Sequence, residues 1–206
     1  MKTTKLLFAV LVCSAAFTSC KKDNPEEPKP VVLINGVRWA ECNVDAPGTF
    51  AASPQALGMF YKWGTKIGWS ATGDPTSTSG QAWADVAAES GDNWLAANDP
   101  CPAGWRLPTK EELATLLDDT KVTKAWVTTP ANGYKFTDQT NTSNSIFLPA
   151  AGYRYYTDGT LGYAGDYGFY WSSTMSSAHD AWGLSFYSGD AYSYRTYGFT
   201  VRCVLQ

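Results

Sequence analysis

The sequence predicts an α+β fold, in which one main helix precedes many short, mostly antiparallel strands. Thr109 and Glu112 have the spacing of a capping box, and apolar residues follow at i, i+3 and i+4 from Leu113. We expect this helix to span about residues 109–118. Further along the chain, short runs rich in aromatic and β-branched residues alternate with Gly, Asn, Asp and Ser, which is typical of strands joined by turns. One helix followed by many strands indicates the α+β class.

The predicted strands begin with a hairpin and continue to the C-terminus. Val31–Ile34 and Val37–Ala40 flank Asn35-Gly36, a pair that favours a type I′ turn. The later runs are residues 125–128, 134–137, 146–148, 153–156, 170–173, 182–187, 191–195 and 200–205. Residues 43–100 lack a steady period, so we expect loops there, with a short helix near 82–88. We therefore predict a single folded domain over residues 31–206.

Residues 1–19 have the layout of a lipoprotein signal peptide. Lys2 and Lys5 give a basic start, and the apolar run that follows is too short for the roughly 20 residues that a spanning helix needs. Small residues then precede Cys20, which resembles a bacterial lipobox. The resemblance implies that Cys20 is lipidated and becomes the mature N-terminus. The alternative is an ordinary signal peptide that is cut nearby, with Cys20 incidental.

Residues 20–30 are predicted to form a tether. Three prolines and six charged residues lie between 21 and 30, a composition that cannot form a packed core. A lipidated cysteine followed by such a spacer resembles Bacteroidota-type surface lipoproteins. The resemblance implies an outer-membrane protein held at the cell surface by lipid alone.

Composition and charge argue against several classes of protein. The chain has 16 Lys and Arg against 19 Asp and Glu, a net charge of −3, so it lacks the basic excess that binds nucleic acid. His179 is the one histidine, and the cysteine spacings do not fit a zinc site. We find no pairing of a nucleophile with a base. We therefore expect no catalysis, no metal and no cofactor.

Three cysteines, Cys42, Cys101 and Cys203, remain in the folded part. Outside the reducing cytosol, one disulfide is expected, with one cysteine left over. Spacing alone leaves all three pairings open.

Five segments in order resemble a known domain family. They are residues 39–44 (WAECNV), 101–109 (CPAGWRLPT), 148–154 (LPAAGYR), 170–174 (YWSST) and 198–204 (GFTVRCV). Together they look like the Fib-succ-major paralogous domain family, over roughly residues 33–206. The resemblance implies a C-type-lectin-like fold with its terminal strands side by side. It also implies a disulfide between Cys101 and Cys203, with Cys42 to Cys203 as the competing bridge.

Aromatic residues concentrate between Tyr153 and Phe199, where they are 15 of 47 residues. Tyrosine beside Ser and Gly gives adaptable recognition surfaces at low entropic cost, and aromatic faces stack on sugar rings. We predict non-catalytic recognition of a glycan or a surface protein. The candidate ligand-binding residues are those expected in loops or at strand edges: Tyr155, Asp158, Tyr163, Asp166, Tyr167, Asp190, Tyr192, Tyr194, Arg195 and Tyr197. The alternative is a structural role, as an adhesin or tip-like subunit of a surface appendage.

Overall fold

The computed structural model describes residues 31–206, apart from the side chain of Tyr192. Its elements are β1 (Val31–Ile34), β2 (Val37–Ala40), β3 (Phe60–Lys62), β4 (Gly68–Trp69), β5 (Trp105–Arg106), α1 (Lys110–Ala114), β6 (Val122–Val127), β7 (Gly133–Asp138), β8 (Ser145–Pro149), β9 (Tyr153–Arg154), β10 (Leu161–Gly162), β11 (Phe169–Met175), β12 (Asp180–Ser185), β13 (Gly189–Tyr194), β14 (Gly198–Phe199) and β15 (Val204–Leu205). Short 3-10 helices occupy Trp83–Asp85, Ala96–Asn98 and Thr115–Leu117. The predicted signal peptide, Cys20 and the tether lie outside the described residues.

The prediction of an α+β, C-type-lectin-like fold is wrong, because the described chain is mostly β. The predicted capping box is present: the Thr109 hydroxyl accepts from the Glu112 N–H, and the Glu112 carboxylate accepts from the Thr109 N–H. The α-helix that it starts has only five residues, and a 3-10 turn continues it to Leu117. The Asp118 carboxylate then accepts from the N–H and hydroxyl of Thr120, which favours a turn over another helical turn. In residues 31–206 no helix has the length and apolar character needed to cross a membrane.

The strands form four sheets. Their orders are β1-β2-β15-β5, β10-β9-β14-β3-β4, β11-β12-β13 and β6-β7-β8. Val204 of β15 pairs with Trp39 of β2, so the last strand lies beside the second strand of the N-terminal hairpin, whereas the resemblance implied that the terminal strands themselves lie side by side. The hairpin between β1 and β2 turns at Asn35 and Gly36, whose φ angles of 44° and 81° fit the type I′ turn predicted there.

Each of the eight predicted runs overlaps an observed strand. The sequence did not predict β3, β4, β5, β10 or β14, which have only two or three residues each. The short helix expected near 82–88 is the 3-10 helix Trp83–Asp85. Local patterns therefore located most strands, although they did not give the correct fold class.

The predicted Cys101–Cys203 disulfide is confirmed. Cys42 is buried and takes no part in it, so the competing bridge to Cys203 is excluded. The disulfide lies in a core of tryptophan and aliphatic side chains that includes Trp63, Trp171 and Val201. It joins the segment before β5 to the segment before β15.

Three arginines of the C-terminal half, Arg154, Arg195 and Arg202, are buried, and burial lowers the pKa of each. All three donate to backbone carbonyls of distant loops. Arg154 donates to the carbonyls of Gly73 and Gly159, at 2.8 and 2.9 Å. It therefore ties the turn between β9 and β10 to the loop after β4.

Candidate functional site

Eight tyrosines form one connected network of rings, which we call the tyrosine surface. Its members are Tyr153, Tyr155, Tyr156, Tyr163, Tyr167, Tyr187, Tyr194 and Tyr197. Centroids of neighbouring rings lie between 4.6 and 6.5 Å apart. Most of these contacts are tilted or edge to face, the arrangements that aromatic quadrupoles favour. The network joins the β9–β10 turn, the loop after β10, the turn after β12 and the segment after β13.

Part of the tyrosine surface faces solvent and part is anchored to the core. Tyr187 is 78% exposed, Tyr163 is 55% and Tyr194 is 54%. Tyr153 and Tyr197 instead pack against the core cluster that contains Phe199. Large exposed aromatic patches on a folded domain are typical of interaction surfaces, and the half-buried Tyr153 and Tyr197 hold this patch against the core.

The backbone of Tyr163 is left-handed, with a φ of 54°. This conformation costs a residue with a Cβ atom about 1–2 kcal/mol relative to right-handed backbone. The Tyr163 carbonyl accepts from the N–H groups of Asp166 and Tyr167, which holds the turn closed. Strain of this kind in an exposed aromatic residue is found at functional sites.

An open groove of about 410 Å³ lies along one side of the tyrosine surface. Its lining residues come from the loop after β10, the start of β11 and the β12–β13 hairpin: Tyr163, Tyr167, Phe169, Ser185, Tyr187, Ser188, Ala191 and Ser193. The rings of Tyr167 and Tyr187 meet edge to face at 5.6 Å. Every polar side chain that lines the groove carries a hydroxyl group, so the groove offers both hydrogen-bond donors and acceptors.

Two predicted carboxylates, Asp158 and Asp166, are exposed beside the tyrosines. The Asp158 carboxylate accepts from the Thr160 N–H at 2.9 Å, and this hydrogen bond lowers the pKa of Asp158. Burial raises the pKa of Tyr197 to about 12, and a hydrogen bond with Tyr156 raises the pKa of Tyr155. At neutral pH these phenols are therefore protonated and the carboxylate is ionised. Within residues 31–206, no three His, Cys, Asp or Glu residues converge as metal ligands.

Arg195 was predicted to face the ligand, and the structure corrects its position. The side chain is 3% exposed, and its guanidinium donates to the carbonyls of Glu89, Gly91 and Ser177. It also lies 4.3 Å from the ring centroid of Trp63. Arg195 therefore fixes the backbone between Tyr194 and Tyr197 and presents no charge to solvent at this surface.

Asp190 also lies apart from the groove. Its carboxylate forms an ion pair with Lys110 at 3.4 Å, and the Lys110 ammonium lies 3.3 Å from the ring centroid of Trp182. Because side chains alternate along a strand, Asp190 points away from the face on which Ala191 and Ser193 line the groove. The backbone of Tyr192 pairs with that of Trp182, and its side chain lies outside the described part of the chain.

The sequence prediction missed Tyr187 as a site residue. The run 182–187 was expected to be one strand, whereas β12 ends at Ser185 and places Tyr187 in the hairpin turn. The turn residues Ser188 and Gly189, which follow directly, were the available signal. Of the ten predicted residues, Tyr155, Tyr163, Tyr167, Tyr194 and Tyr197 are members of the tyrosine surface, and Asp158 and Asp166 lie beside it.

Comparison with known proteins gives one match. A family model described as the Fibrobacter succinogenes major domain matches residues 22–205, a range that includes all five sequence segments noted above. No curated protein and no solved structure matches the chain.

Proposed function

The chain belongs to the Fibrobacter succinogenes major domain family, and from that premise we propose that it is a surface protein whose domain recognises a glycan or a protein without catalysing a reaction. The observation that carries the proposal is the tyrosine surface. Five of its rings are exposed by more than a third, and they belong to a single network: Tyr155, Tyr156, Tyr163, Tyr187 and Tyr194. Tyrosine provides large contact area and a hydroxyl group while ordering only two side-chain dihedral angles.

The surface is also preorganised, which favours affinity. Arg154 precedes Tyr155, and it holds the β9–β10 turn through carbonyls of that turn and of the loop after β4. Arg195 follows Tyr194 and holds the end of β13 in the same way. Because two buried arginines fix the backbone on both sides of the rings, binding would order few additional groups.

The proposal includes a lipid anchor at Cys20, which rests on the sequence of the first 30 residues. We expect mass spectrometry of the mature protein to find a diacylated Cys20 as its first residue. A Cys20→Ala variant should be lost from the outer-membrane fraction, because it lacks the acyl chains that would hold the protein in the bilayer. An unacylated protein recovered from the cytosol would contradict the anchor and the surface location.

Replacing exposed tyrosines by alanine tests whether the tyrosine surface binds the ligand. The first step is to screen the purified protein against a glycan array and against surface extracts. For any ligand found, Tyr187→Ala and Tyr194→Ala should each weaken binding by about tenfold or more, since exposed aromatic anchors dominate interface energetics. Both side chains are more than half exposed, so folding should be unchanged.

The matched control is Trp126→Ala, which removes an exposed ring of β6 outside the tyrosine surface. This variant should bind as the natural protein does. Equal affinity of all three variants and the natural protein would show that the tyrosine surface does not carry recognition.

One observation favours the second candidate, a structural subunit of a surface appendage. Strand β1 lies at the edge of its sheet, and Val31 and Leu33 expose apolar side chains there. Exposed edge strands pair readily with strands of other chains. This role predicts stable co-purification with other surface proteins and no affinity for free sugars.

A further inference from the structure

We propose that the ligand of the tyrosine surface is an uncharged glycan, held in the groove between Tyr163, Tyr167 and Tyr187. The inference rests on the proposed recognition function and specifies its ligand class. Two independent features carry it: the chemistry of the groove lining and the distribution of charge over the C-terminal part of the domain.

The groove lining matches a sugar in its chemistry. Three tyrosine rings and Phe169 provide apolar faces, against which the C–H faces of a pyranose can stack. The hydroxyl groups of the tyrosines and serines both donate and accept hydrogen bonds, as sugar hydroxyls do. The Ser185 hydroxyl is largely buried and accepts from the Tyr187 N–H at 3.2 Å, which holds the hairpin turn that carries Tyr187.

The size of the groove suits a short oligosaccharide. Its volume of about 410 Å³ lies within the range of roughly 300–1,000 Å³ that is typical of small-molecule sites. The groove is open to solvent, and the tyrosine surface continues from Tyr163 through Tyr153 to Tyr197. Further sugar units would meet those rings beyond the groove.

The lack of exposed Lys and Arg side chains after Lys135 disfavours an anionic ligand. After Lys135 the chain has three basic residues other than histidine, Arg154, Arg195 and Arg202, and each is at most 3% exposed. Their guanidinium groups already donate hydrogen bonds to backbone carbonyls. A uronic acid, sulfate or sialic acid in the groove would lose solvation without gaining a cationic partner among the eight residues that line it.

Two exposed carboxylates of the tyrosine surface would also repel an anionic ligand. Asp166 is exposed beside the groove, in the turn that carries Tyr163 and Tyr167, and Asp158 is exposed elsewhere on the tyrosine surface, in the turn that carries Tyr155. Like charges close to a site discriminate against the wrong ligand at little cost to the right one. The surface therefore accepts hydroxyl-rich, uncharged sugars and rejects their charged counterparts.

The test compares paired oligosaccharides. The full mature protein, kept in a detergent without a sugar headgroup, is titrated with hexamers of glucose, mannose, galactose and xylose. The galactose, glucose and mannose hexamers are compared with the hexamers of galacturonic, glucuronic and mannuronic acid, the xylose hexamer also with the glucuronic acid hexamer, and lactose with 3′-sialyllactose. We expect at least one neutral sugar to bind, and its charged partner to bind about tenfold more weakly at low salt, a difference that added salt reduces.

Two sets of variants locate the effect. Tyr187→Ala should weaken binding of the neutral sugar at least tenfold, and Tyr187→Phe should weaken it less, because the ring remains. The double variant Asp158→Asn, Asp166→Asn should keep its affinity for the neutral sugar. Its affinity for the charged sugar should rise, so that the ratio of the two affinities falls several-fold. A purely structural role for these carboxylates would not change the ratio between neutral and charged sugars.

The outcomes separate the inference from the function on which it rests. Equal or tighter binding of the charged sugars, still sensitive to Tyr187→Ala, would overturn the uncharged ligand class and leave glycan recognition standing. Binding of a protein through the tyrosines, with no sugar bound, would overturn the glycan inference alone. If no ligand of any kind responds to the tyrosine variants, the proposed function fails together with the inference.

Discussion

Replacing Cys101 and Cys203 together by alanine is expected to lower the free energy of unfolding by about 4–5 kcal/mol. The disulfide joins residues separated by 102 positions, so its loss frees a long loop in the unfolded chain. In the chain-entropy model a loop of that length accounts for nearly the whole effect. Guanidinium denaturation of the oxidised protein and of the double variant measures the difference.

Reductant and Cys42 provide the controls for this prediction. Reduction of the natural protein should lower its stability as the double variant does, and reductant should leave the double variant unchanged. A Cys42→Ala variant should keep its sensitivity to reductant, because Cys42 lies outside the bond. A loss of less than about 1 kcal/mol on reduction would contradict the chain-entropy account.

Substitution Arg202→Met is expected to lower the free energy of unfolding by about 4 kcal/mol. The Arg202 side chain is fully buried, and its guanidinium donates to the Asn43 side chain and to the carbonyls of Ala40, Glu41 and Phe147. Methionine fills similar volume but leaves those acceptors without a donor. Each unsatisfied buried acceptor costs about 1–3 kcal/mol before the structure relaxes.

Two further substitutions make the Arg202 prediction specific. Arg202→Lys should recover only part of the loss, because one ammonium cannot reproduce the planar fork that reaches all four acceptors. Arg38→Met, on the exposed face of β2, should change stability by less than about 0.5 kcal/mol. A near-neutral effect of Arg202→Met would show that the guanidinium does not hold these segments together.

The parts of the fold that could be predicted from the sequence are those with a local cause. Asn35-Gly36 specifies a turn through its backbone preferences, and Thr109 with Glu112 specifies a helix start through two hydrogen bonds. Strand β3 was missed because all three of its residues are buried, so it shows no alternation of polar and apolar side chains. The length of α1 was overestimated, because the apolar face continues past the end of the α-helix and does not show where a turn, here the one at Asp118, replaces it.

The candidate site shows the same division between local and distant causes. The tyrosines were found from composition, but the position of Arg195 could not be, because its carbonyl partners at Glu89 and Gly91 lie 106 and 104 positions away in the chain. Without knowledge of these carbonyl partners, an arginine among tyrosines was interpreted as a ligand contact. Tyr187 was missed through a two-residue error in the end of β12.

The most direct measurement of recognition by the tyrosine surface is an NMR titration of protein labelled at its tyrosine rings, with the first ligand that the screen identifies. We expect the ring signals of Tyr163, Tyr167 and Tyr187 to shift on binding, while those of the buried Tyr61 and Tyr170 stay unchanged. Shifts confined to residues outside the tyrosine surface would contradict recognition by these rings, because the ligand would then bind elsewhere on the domain.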